Sequence, residues 1–151
     1  MTTNDDDPHD LERFLAAQER SYPGALAELQ RGRKTGHWIW FVFPQITGLG
    51  RSDVSRHYAI ASLDEAQAYL ANPVLGARLR ECAEALLTLR GPTAAEILGG
   101  IDSMKVRSSM TLFHRAAPDD PTFPAVLDRY YGGVADDATD VILAAGSQDP
   151  G

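Results

Sequence analysis

His37-Trp-Ile-Trp-Phe-Val-Phe43, followed by Pro44, is the stretch whose reading decides the fold. Its aromatic and β-branched residues favour a strand locally. Periodicity alone cannot separate a buried strand from a buried helix in so short an apolar run. A strand needs a ladder partner, however, and no second strand pattern is found in the chain. The segment is therefore expected to be helix, or helix with an extended exit at Phe43-Pro44, and the chain to be all-α.

Working outward from it, the pattern is helical on both sides. Towards the N-terminus, Leu11, Phe14, Leu15 and Gln18 recur at helical spacing with Asp10 as N-cap, and Pro23 opens a second helix carrying Leu26 and Leu29. Gly32 ends it. Towards the C-terminus a glycine loop, 45–51, leads to Ser52, which caps a short helix through Ile60. Ser62-Leu-Asp-Glu65 and Thr93-Ala-Ala-Glu96 have the form of capping boxes. Asn72-Pro73 opens the clearest helix, with Leu75, Leu79, Cys82 and Leu86 along one face and Gly91-Pro92 as its stop. Ser103 is expected to cap a helix over 104–116 with Val106, Met110 and Phe113 buried. Asp120-Pro121 opens the next, burying Phe123, Val126, Leu127 and Tyr130, and a last short helix spans 138–145. The expectation is a single irregular domain of seven to nine short helices over 10–145, with an acidic disordered tail at 1–9 and a frayed one at 146–151.

Composition limits the function classes. The chain has 151 residues, 44% of them hydrophobic and 23% charged, which suits one globular domain. It has one cysteine and hence no internal disulfide, no apolar run long enough to span a bilayer, and an acidic rather than signal-like N-terminus. A cytoplasmic location without membrane association is expected. The net charge of −7 argues against nucleic acid as the default partner.

That charge is uneven. Residues 30–60 carry +4 (Arg31, Arg33, Lys34, Arg51 and Arg56 against Asp53), and the rest carries −11. Both tryptophans, Trp38 and Trp40, lie in this island. Basic charge beside aromatic rings suits a flat anion such as a nucleotide, whereas a solvated basic face beside a buried element accounts for the same residues without any ligand. Arginine outnumbers lysine twelve to two. The two lysines, Lys34 and Lys105, stand out because a compact ammonium performs tasks a guanidinium does not.

Few chemical motifs are present. His9, His37, His57 and His114 form no metal-ligand spacing, and Cys82 lies on an apolar stripe, so no metal site is expected. Thr47-Gly-Leu-Gly-Arg-Ser52 lacks the GK[ST] of a Walker A loop and has no βαβ context, so no cofactor is expected. Its glycines, Arg51 and Ser52 before a helix start suit a phosphate or carboxylate, or simply make a turn and a cap. In Asp102-Ser-Met-Lys105-Val-Arg-Ser108-Ser109 the lysine shares a helix face with Ser108 and Ser109. The order is the reverse of the SxxK of penicillin-recognising enzymes and the companion motifs are absent, which argues against a serine hydrolase. The two serines also fit as small residues at a helix crossing.

GRKTGHWIWFVFPQITGLGRS (32–52), YAIASLDEAQAYLANPVLGARL (58–79) and DSMKVRSSMTLFHRAAPDDPTF (102–123) resemble the bacterial domain-of-unknown-function family 1810, often labelled calpastatin. The label conflicts with the chain itself, because a calpain inhibitor is a disordered repeat protein. The resemblance covers about 10–143 and implies an all-helical single domain with no established activity. Asp102-x-x-Lys105, the helix after it and a proline-linked F-x-x-V-L are also similar to the C-terminal part of the NADAR superfamily, whose members act on ADP-ribose N-glycosidic bonds. That superfamily's glutamate in a tryptophan-containing motif has no clear counterpart here.

Two functions are weighed. In the first, the domain binds or processes a small nucleotide-like anion. Lys34, His37 and Arg51 meet its charge, Trp38 or Trp40 stacks on its ring, and Gln45, Ser52, Lys105, Ser108 and Ser109 complete the site. If the domain is an enzyme, it cleaves an N-glycosidic bond of an ADP-ribose-type ligand with Asp102 and Lys105 as catalytic residues. In the second, 37–43 and its basic flank form a non-enzymatic protein-interaction surface. The first requires 34–52 and 102–109 to meet at one concavity with Lys34 near Lys105.

Overall fold

The computed structural model describes residues 7–147. Among the described residues the domain is all-α: α1 (Glu12–Arg31), α2 (Ile39–Val42), α3 (Asp53–His57), α4 (Leu63–Ala71), α5 (Leu75–Thr88), α6 (Ala94–Leu98), α7 (Gly100–Ala116), α8 (Thr122–Tyr131) and α9 (Asp137–Ser147). The only β feature among them is an isolated parallel bridge between Ile46 and Ile60. Residues 39–42 are helical, and Phe43 leaves the helix before Pro44 at φ −124° and ψ 72°, neither helical nor fully extended.

Most helix starts lie where cap chemistry placed them. Ser52 accepts from the Ser55 N–H at 3.1 Å, and Thr93 with Glu96 forms a complete capping box. Asn72 receives the Val74 and Leu75 N–H groups, and Asp120 that of Thr122. Other starts differ from the sequence reading. Pro23 does not open a helix but lies inside α1. Its missing N–H costs one helical bond, yet Phe14, Gln18, Tyr22, Ala25 and Leu29 are buried on both sides of it and keep the helix continuous. Asp10 is not the cap of α1. It has φ 51°, and Asp7, assigned to the tail on sequence, accepts from the Leu11 and Glu12 N–H groups at 2.8 and 2.9 Å. Residues 1–6 and 148–151 of the expected tails lie outside the described residues. The box at Ser62 is only half formed, because Glu65 turns to the Ala61 N–H and to Arg13. Ser103 does not cap α7, which begins a turn earlier. Gly99, at φ 89°, makes the corner between α6 and α7 and so places Asp102 in the first turn.

The core explains the order of the helices. α7 packs against α8, α6, α4, α9 and α2, and α5 packs against α1, α8 and α4. Leu75, Leu79, Cys82 and Leu86 are all buried, as are Val106, Met110, Phe113, Phe123, Val126 and Leu127. Tyr130 is half-buried and spends its hydroxyl on the Leu86 carbonyl. No described helix is long and apolar enough to cross a membrane.

Candidate functional site

The site begins with Glu28, near the end of α1. The turn after α1 folds its backbone around this carboxylate: Oε1 accepts from the N–H groups of Thr35 (2.8 Å) and Gly36 (2.9 Å) and from Trp38 Nε1 (2.9 Å). Burial alone pushes such a carboxyl up, but here the donors outweigh it and hold Glu28 at about 2, against an ordinary 4.5. A depressed folded-state value means stability that is present above pH 4.5 and is lost as the pH falls towards 2. Wild-type protein is therefore expected to lose more stability than Glu28→Gln between pH 4.5 and about 2 in urea unfolding. Parallel loss in both proteins would remove Glu28 from this role. Sequence reasoning passed over Glu28, because a glutamate in an amphipathic helix carries no signal of its partners.

The same turn delivers Lys34. Its N–H donates to the Ile97 carbonyl at 2.7 Å, tying it to α6. Its ammonium lies 2.7 Å from Asp102 Oδ2, donates to the Gly36 carbonyl, and sits 5.0 Å over the Trp38 ring. Lys105, one turn along α7, reaches the other oxygen of Asp102 at 3.6 Å and lies 4.8 Å over the Trp40 ring. The order Trp38, Lys34, Asp102, Lys105, Trp40 thus alternates ring, cation and carboxylate. At about 4 Å and an effective dielectric of about 20, two bare ammonium groups repel by about 4 kcal/mol. The single carboxylate between them offsets this and leaves a net positive group.

A concavity of about 500 Å³ opens on the Lys105 side of this row. Lys105 and Ser108 come to it from α7, Trp40 from α2, and Gln45, Arg51 and Ser52 from the loop before α3. Segments 34–52 and 102–109 therefore do meet, as the shared-pocket expectation requires. The other named residues are placed differently. Lys34 and Asp102 stand behind Lys105. Trp38 and Ser109 are buried in the core, and exposed His37 is not part of the lining. Among the described residues Ser109 Oγ has no hydrogen-bond partner, and Ser108 Oγ donates back to the Met104 carbonyl at 3.2 Å, so both serines pack as small residues within α7. Ser52 spends its hydroxyl on Ser55.

The sequence reading missed Asp136, Met104, Ile101 and Leu49, which also line this concavity. Ile101 and Met104 carried a usable signal, being apolar residues off the buried stripe of α7. Asp136 carried none, because it arrives from the turn before α9. The loop wall is held by main-chain bonds of Thr47 to Ile60 and of Ile60 to Gln45, both 2.8 Å. A second hollow of about 350 Å³ beside α4 and α9 has Asp64 as its one charged lining residue among the described residues, which is the wrong sign for an anion. Among the described residues no group of His, Cys, Asp or Glu is arranged to hold a metal ion.

The crystal structure of the conserved hypothetical protein Rv1873 from Mycobacterium tuberculosis superposes on this fold with a TM-score of 0.90. It shares 49% sequence identity over 91% of this chain and 99% of that one. No curated protein matches the chain. The family described as protein of unknown function (DUF1810) matches residues 8–143. With the long strings around Trp38 and Lys105 inside that span, the chain belongs to the DUF1810 family.

Proposed function

We propose that this concavity binds a small nucleotide-like anion, with ADP-ribose as the type of ligand. The observation that supports this reading is the placement of Lys105 against Trp40 in one concavity with Arg51, its charge only partly offset by an Asp102 shared with Lys34. Lys105 and Arg51 meet the phosphates, Gln45 supplies an amide, and Trp40 supplies an aromatic wall. Lys34 and Asp102 act through Lys105, by setting where its ammonium points. In the hydrolytic form of this reading, water cleaves an N-glycosidic bond: its oxygen bonds to the sugar carbon and the base departs with a proton. Asp102 can direct that water only once Lys105 has moved onto the ligand.

The protein-interaction reading has less support. Trp38, Ile39, Val42 and Phe43 are buried, which leaves exposed His37 and the half-buried Trp40 and Phe41 of segment 37–43 to meet a partner.

Thermal shift with ADP-ribose, NAD and nucleoside phosphates tests the proposal. A ligand at about 100 times its Kd adds about 2.7 kcal/mol, or a rise of about 5–10 °C for a chain of this size. Lys105→Ala is expected to stay folded and to lose most of that rise. An equal rise in wild type and in Lys34→Ala/Lys105→Ala would place the ligand elsewhere.

A further inference from the structure

We infer that Asp136 is a specificity residue of this concavity and that it selects an anion carrying hydrogen-bond-donating hydroxyls or an amine at the end remote from its charge. The inference rests on the binding reading above and narrows its ligand class. Asp136 stands in the turn before α9. Its N–H donates to Thr111 Oγ1 at 2.9 Å, which fixes it against α7. Its Oδ2 accepts from the Thr139 N–H (3.0 Å) and hydroxyl (2.6 Å), capping α9. Arg107 secures the same turn through the carbonyls of Val134 and Ala135. The residue is thus held from three sides, and it lines the same concavity as Lys105 and Arg51.

A carboxylate in an anion site is a liability unless the ligand presents donors to it. Oδ2 is spent on the cap, while Oδ1 accepts no hydrogen bond from the described residues. Along α7, Lys105 and Thr111 are separated by about 9 Å of helix rise. The wall therefore carries a cation near one end and an acceptor near the other. A bare phosphate satisfies only the first. A nucleoside diphosphate sugar, with phosphates at one end and vicinal hydroxyls or a ring amine at the other, satisfies both. Ile101 and Met104, exposed on the α7 side of the concavity, offer apolar surface to what lies between.

Asp136→Asn separates the two roles, because asparagine caps a helix as well as aspartate does. It spends its oxygen on Thr139 and turns an amide donor to the ligand in place of an acceptor. Isothermal titration calorimetry with ADP-ribose and with inorganic pyrophosphate is the test, with the thermal midpoint as fold control. Wild type is expected to bind ADP-ribose more tightly than pyrophosphate. The variant is expected to lose at least about tenfold in ADP-ribose affinity and to bind pyrophosphate as well as before or better. Unchanged ADP-ribose affinity, or equal weakening towards both probes, would overturn the role of Asp136 while leaving the anion site standing. If wild type binds neither probe, the binding reading falls and this inference with it.

Discussion

Leu79→Ala is expected to lower the unfolding free energy by about 2–5 kcal/mol. Leu79 is buried on the face of α5 that also carries Leu75, Cys82 and Leu86. α5 packs against α1, α4 and α8, so its apolar face has neighbours on several sides. Truncation removes the transfer free energy of the lost methyl groups and leaves a cavity that several packed helices cannot close together. The upper half of the range is the better estimate where the surroundings are held from several directions. In a chain of this size the midpoint should fall by about 2–4 °C per kcal/mol. Urea unfolding showing a loss under about 0.5 kcal/mol would mean that α5 buries a different face.

Asp102→Ala is expected to cost about 2–3 kcal/mol. Removing one member of a buried ion pair strands the other, at about 3–5 kcal/mol when burial is complete. Here Lys34 is 7% exposed and Asp102 20%, so water recovers part of that penalty. Among the described residues the stranded ammonium keeps the Gly36 carbonyl and the Trp38 face, with Lys105, the other partner of Asp102, as a nearby like charge. Lys105→Ala should be close to neutral by comparison, since its ammonium is further from Asp102 at 3.6 Å and is 25% exposed. Replacing the pair together, Lys34→Met with Asp102→Leu, should restore most of the loss, because no buried charge is then left alone. Equal, small effects of Asp102→Ala and Lys105→Ala in urea unfolding would show that Asp102 and Lys34 are not paired in solution.

The two predictions draw on different kinds of information. The Leu79 prediction was available from spacing alone. Leucines and a cysteine at intervals of four, three and four, a preceding Asn72-Pro73 and a following Gly91-Pro92 are local facts, and helix formation and capping are local physics. The same holds for Ser52 and Thr93, whose side chains bond to main chain three residues away. Local reading failed where a distant partner competed. Glu65 left its own capping box for Arg13, which lies 52 residues earlier. Pro23 failed to break α1 because burial on both sides of it outweighed one lost hydrogen bond.

The site divides in the same way. The sequence by itself determined that this chain is an all-helical member of a recognisable family, and it singled out the lysines, the tryptophans and Asp102 as candidates. Composition and motif are written along the chain. Only the tertiary structure decided which tryptophan faces a cavity: Trp38 is held in the core by Glu28, and Trp40 lines the concavity. It also decided that Asp102 lies between Lys34 and Lys105, and that Asp136 stands in the same wall. Charges 68 residues apart, as Lys34 and Asp102 are, acquire their interaction from distance in space, which falls off over a few ångströms and leaves no trace in spacing along the chain.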